Sequence, residues 1–319
     1  MSASKTTIDY LIFRTQEGVK ETRDAMAPLF GGLAGNFHIK PLDRGMHGFE
    51  LACELRLEDL AIGRMDYGGH SQRGWVRVTL WGKGCGWVED WMAAESVLSG
   101  LERSQIMRGD IALTTWDGEL SHGHIVAAHT AGAFCSGGRP PALQQIISTD
   151  PRAGQSCYIG KRASDKYLRA YEKGYQLAAM LGLGGKKLTH IDGHRIEDIY
   201  RVEVELKAKT RPIPWEVVGQ RDQYFAGCYP FLATLLPEVK CDILMRRPER
   251  EPQLDLRAAL DTVRHQFGAT LFTALTAFNG DILAVWDAIV GYKHNEAMLE
   301  AGVLLVDHEP DRADYHHAH

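Results

Sequence analysis

The sequence predicts an α+β protein: a sheet-and-helix body to about residue 245, followed by a helical region. Three observations carry that expectation. Several segments alternate apolar and polar residues strictly, the period-two pattern of a strand with one buried face. Others space their apolar residues at helical intervals. After "RRPEREP" (Arg246–Pro252) the alternation stops and only helical spacing remains.

Four segments alternate clearly. In "WVRVTLW" (Trp75–Trp81), Val76, Val78 and Leu80 point one way and Trp75, Arg77, Thr79 and Trp81 the other. In "RGDIALT" (Arg108–Thr114), Ile111 and Leu113 oppose Arg108, Asp110, Ala112 and Thr114. In "KYLRAYEK" (Lys166–Lys173), Leu168 and Ala170 oppose Tyr167, Arg169, Tyr171 and Lys173. In "RVEVELK" (Arg201–Lys207), Val202, Val204 and Leu206 oppose Arg201, Glu203, Glu205 and Lys207. Helices are predicted over Val88–Gln105, over "IVAAHTAGAF" (Ile125–Phe134), and over "YQLAAMLGL" (Tyr175–Leu183), which stops at the glycines near Gly182. From Leu254 to about Leu305 the chain reads as helical, with caps at Asp255 and Asp281 and a break at Asn279-Gly280. The first residues follow no clear period, and no internal repeat is visible. The resulting division is an N-terminal lobe over 1–100, a core lobe over 101–245 and a helical region over 246–319.

Composition narrows the class. Of the 319 residues, 45% are hydrophobic and 24% charged, enough to bury a substantial core. No run of 18 or more apolar residues occurs, and the start lacks a basic segment leading into an apolar one. Neither a membrane partner nor a secretory signal is therefore expected. The six cysteines include no C-x-x-C pair, which argues against a zinc ribbon or disulfide framework and for a reducing cytoplasm. A formal net charge of −5 means that any nucleic-acid binding must come from a local basic surface.

If the strands holding Asp110, Tyr171 and Glu203 share one sheet, their polar faces converge. Asp110, Glu203 and Glu205 would then lie beside Tyr171, Arg169 and Lys173. Clustered carboxylates suit a hard divalent cation such as Mg²⁺ or Mn²⁺, and a tyrosine beside such an ion can attack phosphorus. The same residues also suit a solvated strand pair in which Arg201 and Lys207 neutralise the glutamates across the ladder. Alternation alone leaves both readings open, and it does not choose between Tyr167 and Tyr171.

Other features carry less. His122 and His124 flank Gly123 in a predicted turn, where a strand-borne His-x-His metal site needs a bulky apolar middle residue; with His129 they read as loop histidines. "GLGGKK" (Gly182–Lys187) is no phosphate loop, because Met180 and Lys187 stand at its Gly and Ser/Thr positions. "KCDILMRRPER" (Lys240–Arg250) reads equally as a basic arm or a linker, the terminal "HHAH" as a tail, and Trp87 and Trp91 as core.

"YIGKRASDKYLRAYEKG", preceded by "MRGDIAL" and followed by "YRVEVELK", resembles the replication initiation factor family, the rolling-circle initiators of certain plasmids and filamentous phages. "VTLWGKGC" (Val78–Cys85) resembles a glycine-rich strand end in the phage branch. The segments stand in the family's order over roughly residues 75–210. The resemblance implies paired sheet-and-helix lobes around a DNA groove. It also implies metal-dependent, origin-specific nicking and strand transfer through a 5′-phosphotyrosyl intermediate. Tyr171 would be the nucleophile, assisted by Arg169. Asp110, Glu203 and Glu205 would hold Mg²⁺ or Mn²⁺. Arg162, Arg169, Lys173 and Arg201 would contact phosphates, and Tyr167 would stack a base. The implied partners are double- and single-stranded origin DNA, with a host helicase and polymerase; whether the protein forms a homodimer is open. One departure stands out: Thr114 occupies the position of a second aspartate usual four residues after Asp110, with Asp117 as a candidate substitute. A non-catalytic DNA-binding regulator of the same fold is the alternative.

Overall fold

A computed structural model of the chain describes residues 4–135, 139–150, 153–181, 188–240, 252–300 and 302–305. "GLGGKK", the terminal "HHAH" and the basic run beyond Lys240 lie outside the described residues. The chain divides into two compact units, Met1–Arg246 and Arg247–His319.

The first unit is built on one ten-stranded antiparallel sheet. Its strands are β1 (Thr7–Thr15), β2 (Phe37–Leu42), β3 (Leu51–Leu57), β4 (Leu60–Tyr67), β5 (Val76–Leu80), β6 (Gln105–Thr115), β7 (Leu143–Ile147), β8 (Gln155–Ile159), β9 (Lys166–Tyr171) and β12 (Tyr200–Lys207). A separate two-stranded hairpin pairs β10 (His190–Ile191) with β11 (His194–Arg195). The helices of this unit are α1 (Val19–Met26), α2 (Gly82–Gly86), α3 (Trp91–Ser99), α4 (His122–Thr130), α5 (Lys173–Met180), α6 (Glu216–Gly219), α7 (Arg221–Cys228) and α8 (Pro230–Leu235).

The strand order across the sheet is β2-β3-β4-β5-β1-β6-β12-β9-β8-β7. It is a palindrome in chain order about the β1–β6 seam. Each half starts at the seam, sends its next strand to the far edge, and steps back inward. The register repeats as well. Arg64 faces Thr79 and Asp66 faces Arg77 between β4 and β5, as Arg169 faces Glu203 and Tyr171 faces Arg201 between β9 and β12. Arg77 faces Arg14 and Thr79 faces Ile12, as Arg201 faces Thr114 and Glu203 faces Ala112. The internal repeat that the sequence hides is thus plain in the pairing.

One face of the sheet is apolar and carries the core. Phe13, Val78, Ile111, Leu168, Val202 and Val204 join Trp91, Leu98, Val218, Phe225 and Leu232 from the helices in one buried cluster. Covering one face leaves the other for polar groups, the arrangement the alternating segments predict.

Several element boundaries differ from expectation. The helix expected over Val88–Gln105 is shorter: Asp90 caps it, accepting from the backbone N–H of Met92 at 2.8 Å, and it ends at Ser99, before Arg103 takes a left-handed φ of 50°. The helix α4 starts earlier, at His122, with the Ser121 hydroxyl accepting from His124 N–H, so His122 and His124 occupy a helical turn. The strand expected to reach Lys173 stops at Tyr171. Glycines bracket it: Gly160 turns the chain into β9 with φ 92°, and a Cβ on Gly174 would lie 1.9 Å from the Ile196 carbonyl oxygen. Lys173 therefore opens α5. Trp91 is buried, whereas Trp87 is exposed.

The second unit is helical, with α9 (Pro252–Ala277), α10 (Ile282–Ile289) and α11 (Glu296–Glu300). Asn279 and Gly280 break it with φ values of 52° and 83°, and Asp281 caps α10, accepting from the N–H groups of Leu283 and Ala284 at 3.1 Å. The helix α9 begins at Pro252, so Asp255 lies inside it and not at its cap. Among the described residues no helix is long and apolar enough to cross a membrane.

Candidate active site

The three strands that carry the expected chemistry are neighbours, in the order β6-β12-β9. Glu205 lies between Asp110 and Tyr167, Glu203 between Ala112 and Arg169, and Arg201 between Thr114 and Tyr171. Period-two geometry puts these side chains on one face, opposite the core.

Asp110, Glu203 and Glu205 are buried, each at most 2% exposed, and cations hold all three. Arg108 grips Asp110 with two bonds, Nε to Oδ1 at 2.8 Å and Nη2 to Oδ2 at 2.6 Å, and reaches Glu205 Oε2 at 2.7 Å. Arg169 bridges Asp110 Oδ2, at 3.2 Å, and Glu203. Lys207 pairs with Glu205. These charge-assisted contacts are what buried carboxylates require.

A fourth carboxylate comes from a strand that sequence reasoning left unassigned. Asp9 sits in the β1 bulge between Ile8 and Tyr10, and its Oδ1 accepts from Arg201 Nη1 at 2.6 Å. Arg201 also donates from Nε to the Thr114 hydroxyl at 2.8 Å. Thr114 is therefore a neighbour of the site through Arg201. Asp117, the candidate substitute for the aspartate that Thr114 replaces, is exposed and lies 2.7 Å from His194 Nδ1.

The Tyr171 hydroxyl lies 3.5 Å from Glu203 Oε2. Burial raises its pKa, the Glu203 charge raises it further, and Arg201 and Arg169 pull it back only in part, so the phenol is protonated at neutral pH. Glu203 is itself pushed up to about 7, first by burial and then by Asp110 and Asp9, against the lowering pull of Arg169. Lys173 Nζ stands 5.7 Å from the centroid of the Tyr171 ring and donates to Gln176.

The remaining candidates are placed less favourably for their expected roles. Tyr167 is buried, with one ring face stacked against Tyr158 at 5.9 Å, so the half-buried Tyr158 takes the outer position expected of a base-stacking ring. Arg162 is exposed in the turn between β8 and β9. His122 contacts Gln145 Oε1 at 2.9 Å and Cys157 Sγ at 3.5 Å, and His129 contacts the Pro141 carbonyl at 2.7 Å.

The donor set of Asp110, Glu203 and Glu205 fits a hard divalent ion, since all its ligand atoms are carboxylate oxygens on adjacent strands. As they stand, these carboxylates face guanidinium and ammonium groups. Among the described residues no group of three or more His, Cys, Asp or Glu side chains is arranged to hold a metal ion. A divalent cation held by these carboxylates would have to replace contacts now made by Arg108 and Arg169.

Residues 104–242 match the family model described as replication initiation factor, a stretch that contains the site except for Asp9. No curated protein sequence matches the chain. Among solved structures, the chain is similar to the rolling circle replication initiator protein from Geobacillus stearothermophilus, at 19% sequence identity and a TM-score of 0.51, over 70% of this chain and 83% of that one. At that identity the likeness is one of fold.

Proposed function

We propose that this chain initiates rolling-circle replication by nicking one strand of origin DNA with Tyr171 and later rejoining it. The observation that carries the reading is the grouping of Tyr171, Glu203, Arg169 and Arg201 on one sheet face, within the stretch that matches the initiator family. The Tyr171 oxygen attacks a backbone phosphorus, the phosphorus–O3′ bond breaks, and the 3′-oxygen leaves as a hydroxyl once protonated. The 5′-phosphate stays on the tyrosine, and attack by a 3′-hydroxyl reverses the step, which transfers the strand. Glu203 is the group placed to take the phenol proton. Arg169 and Arg201 face the charge that develops on the phosphate oxygens. Asp110, Glu203 and Glu205 would hold Mg²⁺ or Mn²⁺, which when bound supplies positive charge beside the phosphate and offsets the Glu203 charge that keeps Tyr171 protonated.

One observation favours a second reading, a DNA-binding regulator without chemistry: Arg108, Arg169, Arg201 and Lys207 already balance Asp9, Asp110, Glu203 and Glu205. Incubation with supercoiled DNA carrying the candidate origin and Mg²⁺ or Mn²⁺ separates the two. Open-circular product with protein covalently attached supports the nickase. Binding without nicking under either metal supports the regulator.

A further inference from the structure

The palindromic register gives four residues of the candidate site a counterpart in the N-terminal half. Arg64 and Arg77 stand where Arg169 and Arg201 stand, whereas Asp66 and Thr79 occupy the positions of Tyr171 and Glu203. The N-terminal half therefore has the guanidinium groups but neither the tyrosine nor the carboxylate beside it.

Charge distinguishes the halves. Around Tyr171, four cations meet four carboxylates. Arg14 of β1 joins Arg56, Arg64 and Arg77 of β3, β4 and β5 on the same face against Glu54 and Asp66, while Asp9, at the other end of β1, is paired with Arg201. Arg56 pairs with Glu54, and Asp66 is shared between Arg64 at 2.7 Å and Arg77 at 3.6 Å. Arg14 rests on neutral groups: it donates to Gln105 Oε1 at 2.8 Å and lies over the Trp75 ring at 4.3 Å. Asp66 needs one guanidinium and has two, and Arg14 answers no carboxylate, which leaves a local positive surplus on a chain whose net charge is −5.

We infer that the face formed by Arg14, Arg64 and Arg77 is a second, non-cleaving site for the phosphodiester backbone of DNA, a degenerate copy of the site around Tyr171. The inference rests on the initiator reading. Polyanionic backbone complements surplus guanidinium charge, and contacts of this kind set position and affinity without reading bases. The steps from β4 to β9 span about 24 Å of sheet, the reach of about seven nucleotides in one strand of a duplex, so one stretch of DNA can lie on both sites.

The test uses the full chain and a fluorescein-labelled 30-mer, single-stranded and duplex, with anisotropy titrations from 50 to 300 mM NaCl. Arg14→Gln removes a cation that no carboxylate needs. Arg77→Gln removes the second guanidinium and leaves Asp66 paired with Arg64 at 2.7 Å, so no buried carboxylate is orphaned. Each variant, once shown by circular dichroism to melt as a folded protein, should bind less tightly. Its slope of log affinity against log salt should fall in magnitude by about 0.7–0.9 for each lost contact. Folded variants with the wild-type slope and affinity would overturn the inference while leaving the initiator reading intact. A wild-type protein that binds neither DNA overturns the initiator reading, and this inference with it.

Discussion

The Tyr171 hydroxyl points at Glu203, its oxygen 3.5 Å from Oε2, and both side chains lie on the face of the sheet turned away from the core. A contact of that length adds little to stability, yet it puts an acceptor beside the one proton the proposed reaction must move. Tyr171→Phe should therefore abolish the covalent DNA adduct while costing no more than about 1 kcal/mol of stability. Denaturing gels and a thermal melt read the two quantities. An adduct that survives in the variant moves the nucleophile elsewhere, with Tyr158 and Tyr175 next to be replaced.

The raised Glu203 carboxyl makes a prediction about pH. Its ordinary value is 4.5 and burial lifts it to about 7, so within that window the folded state holds a proton the unfolded chain has released. The contribution of this group to wild-type stability therefore declines as pH climbs from about 4.5 to about 7 and is level above. Glu203→Gln lacks the titration, so relative to wild type it should gain about 1–3 kcal/mol across that window and hold the gain beyond it. Urea unfolding of both proteins from pH 4.5 to 8 measures the difference. A gap independent of pH would mean that Glu203 does not titrate there.

Asp9 holds Arg201 opposite Tyr171. With Asp9→Asn the guanidinium loses its charged partner and its fixed orientation, so nicking at saturating DNA should fall about tenfold or more. DNA affinity should hold or rise, because a negative charge has left the phosphate-facing surface. Loss of both in parallel would make Asp9 a folding residue only.

Cys157 imitates an activated thiol, with His122 at 3.5 Å and Gln145 behind the imidazole. Its surroundings deny the role: the residue is fully buried, and burial pushes the thiol up to about 11 from an ordinary 9.0. Thiolate is thus about 100-fold scarcer than on an unperturbed cysteine. Iodoacetamide at pH 7.5 should label the half-buried Cys135 well before Cys157 in the native protein, as read by peptide mass spectrometry. Faster labelling of Cys157 would reopen it as a nucleophile.

Much of the site was legible from period two. Alternation placed Asp110, Arg169, Tyr171, Glu203 and Glu205 on polar faces without any knowledge of which strands touch, because each face is a local property of its own strand. Pairing partners are non-local, and there the reading ran out. Asp9 belongs to a bulged strand about a hundred residues away from Asp110, and a bulge is where alternation breaks. The repeat of Arg64-Met65-Asp66 on Arg169-Ala170-Tyr171 is one residue type deep, too little to see without the ladder that aligns them. The spacing of Lys173 continues the strand pattern, but the close approach of Gly174 to Ile196 ends that strand at Tyr171. Tyr167 shares its strand face with Tyr171, but it is buried and stacks on the half-buried Tyr158 of β8.

The strands that bear Asp110, Tyr171 and Glu203 lie inside the sheet, each hydrogen-bonded on both sides. Interior strands are the last parts of a domain to open, so their amides should be among the slowest to exchange hydrogen. A platform of that kind does not mould itself to a ligand. If DNA is the ligand, as proposed, the work of fitting falls on the nucleic acid, whose bending and unstacking carry their own sequence-dependent cost. Preference for one stretch of DNA over another can thus arise from how readily that DNA yields to a stiff surface, even at nucleotides that no side chain touches.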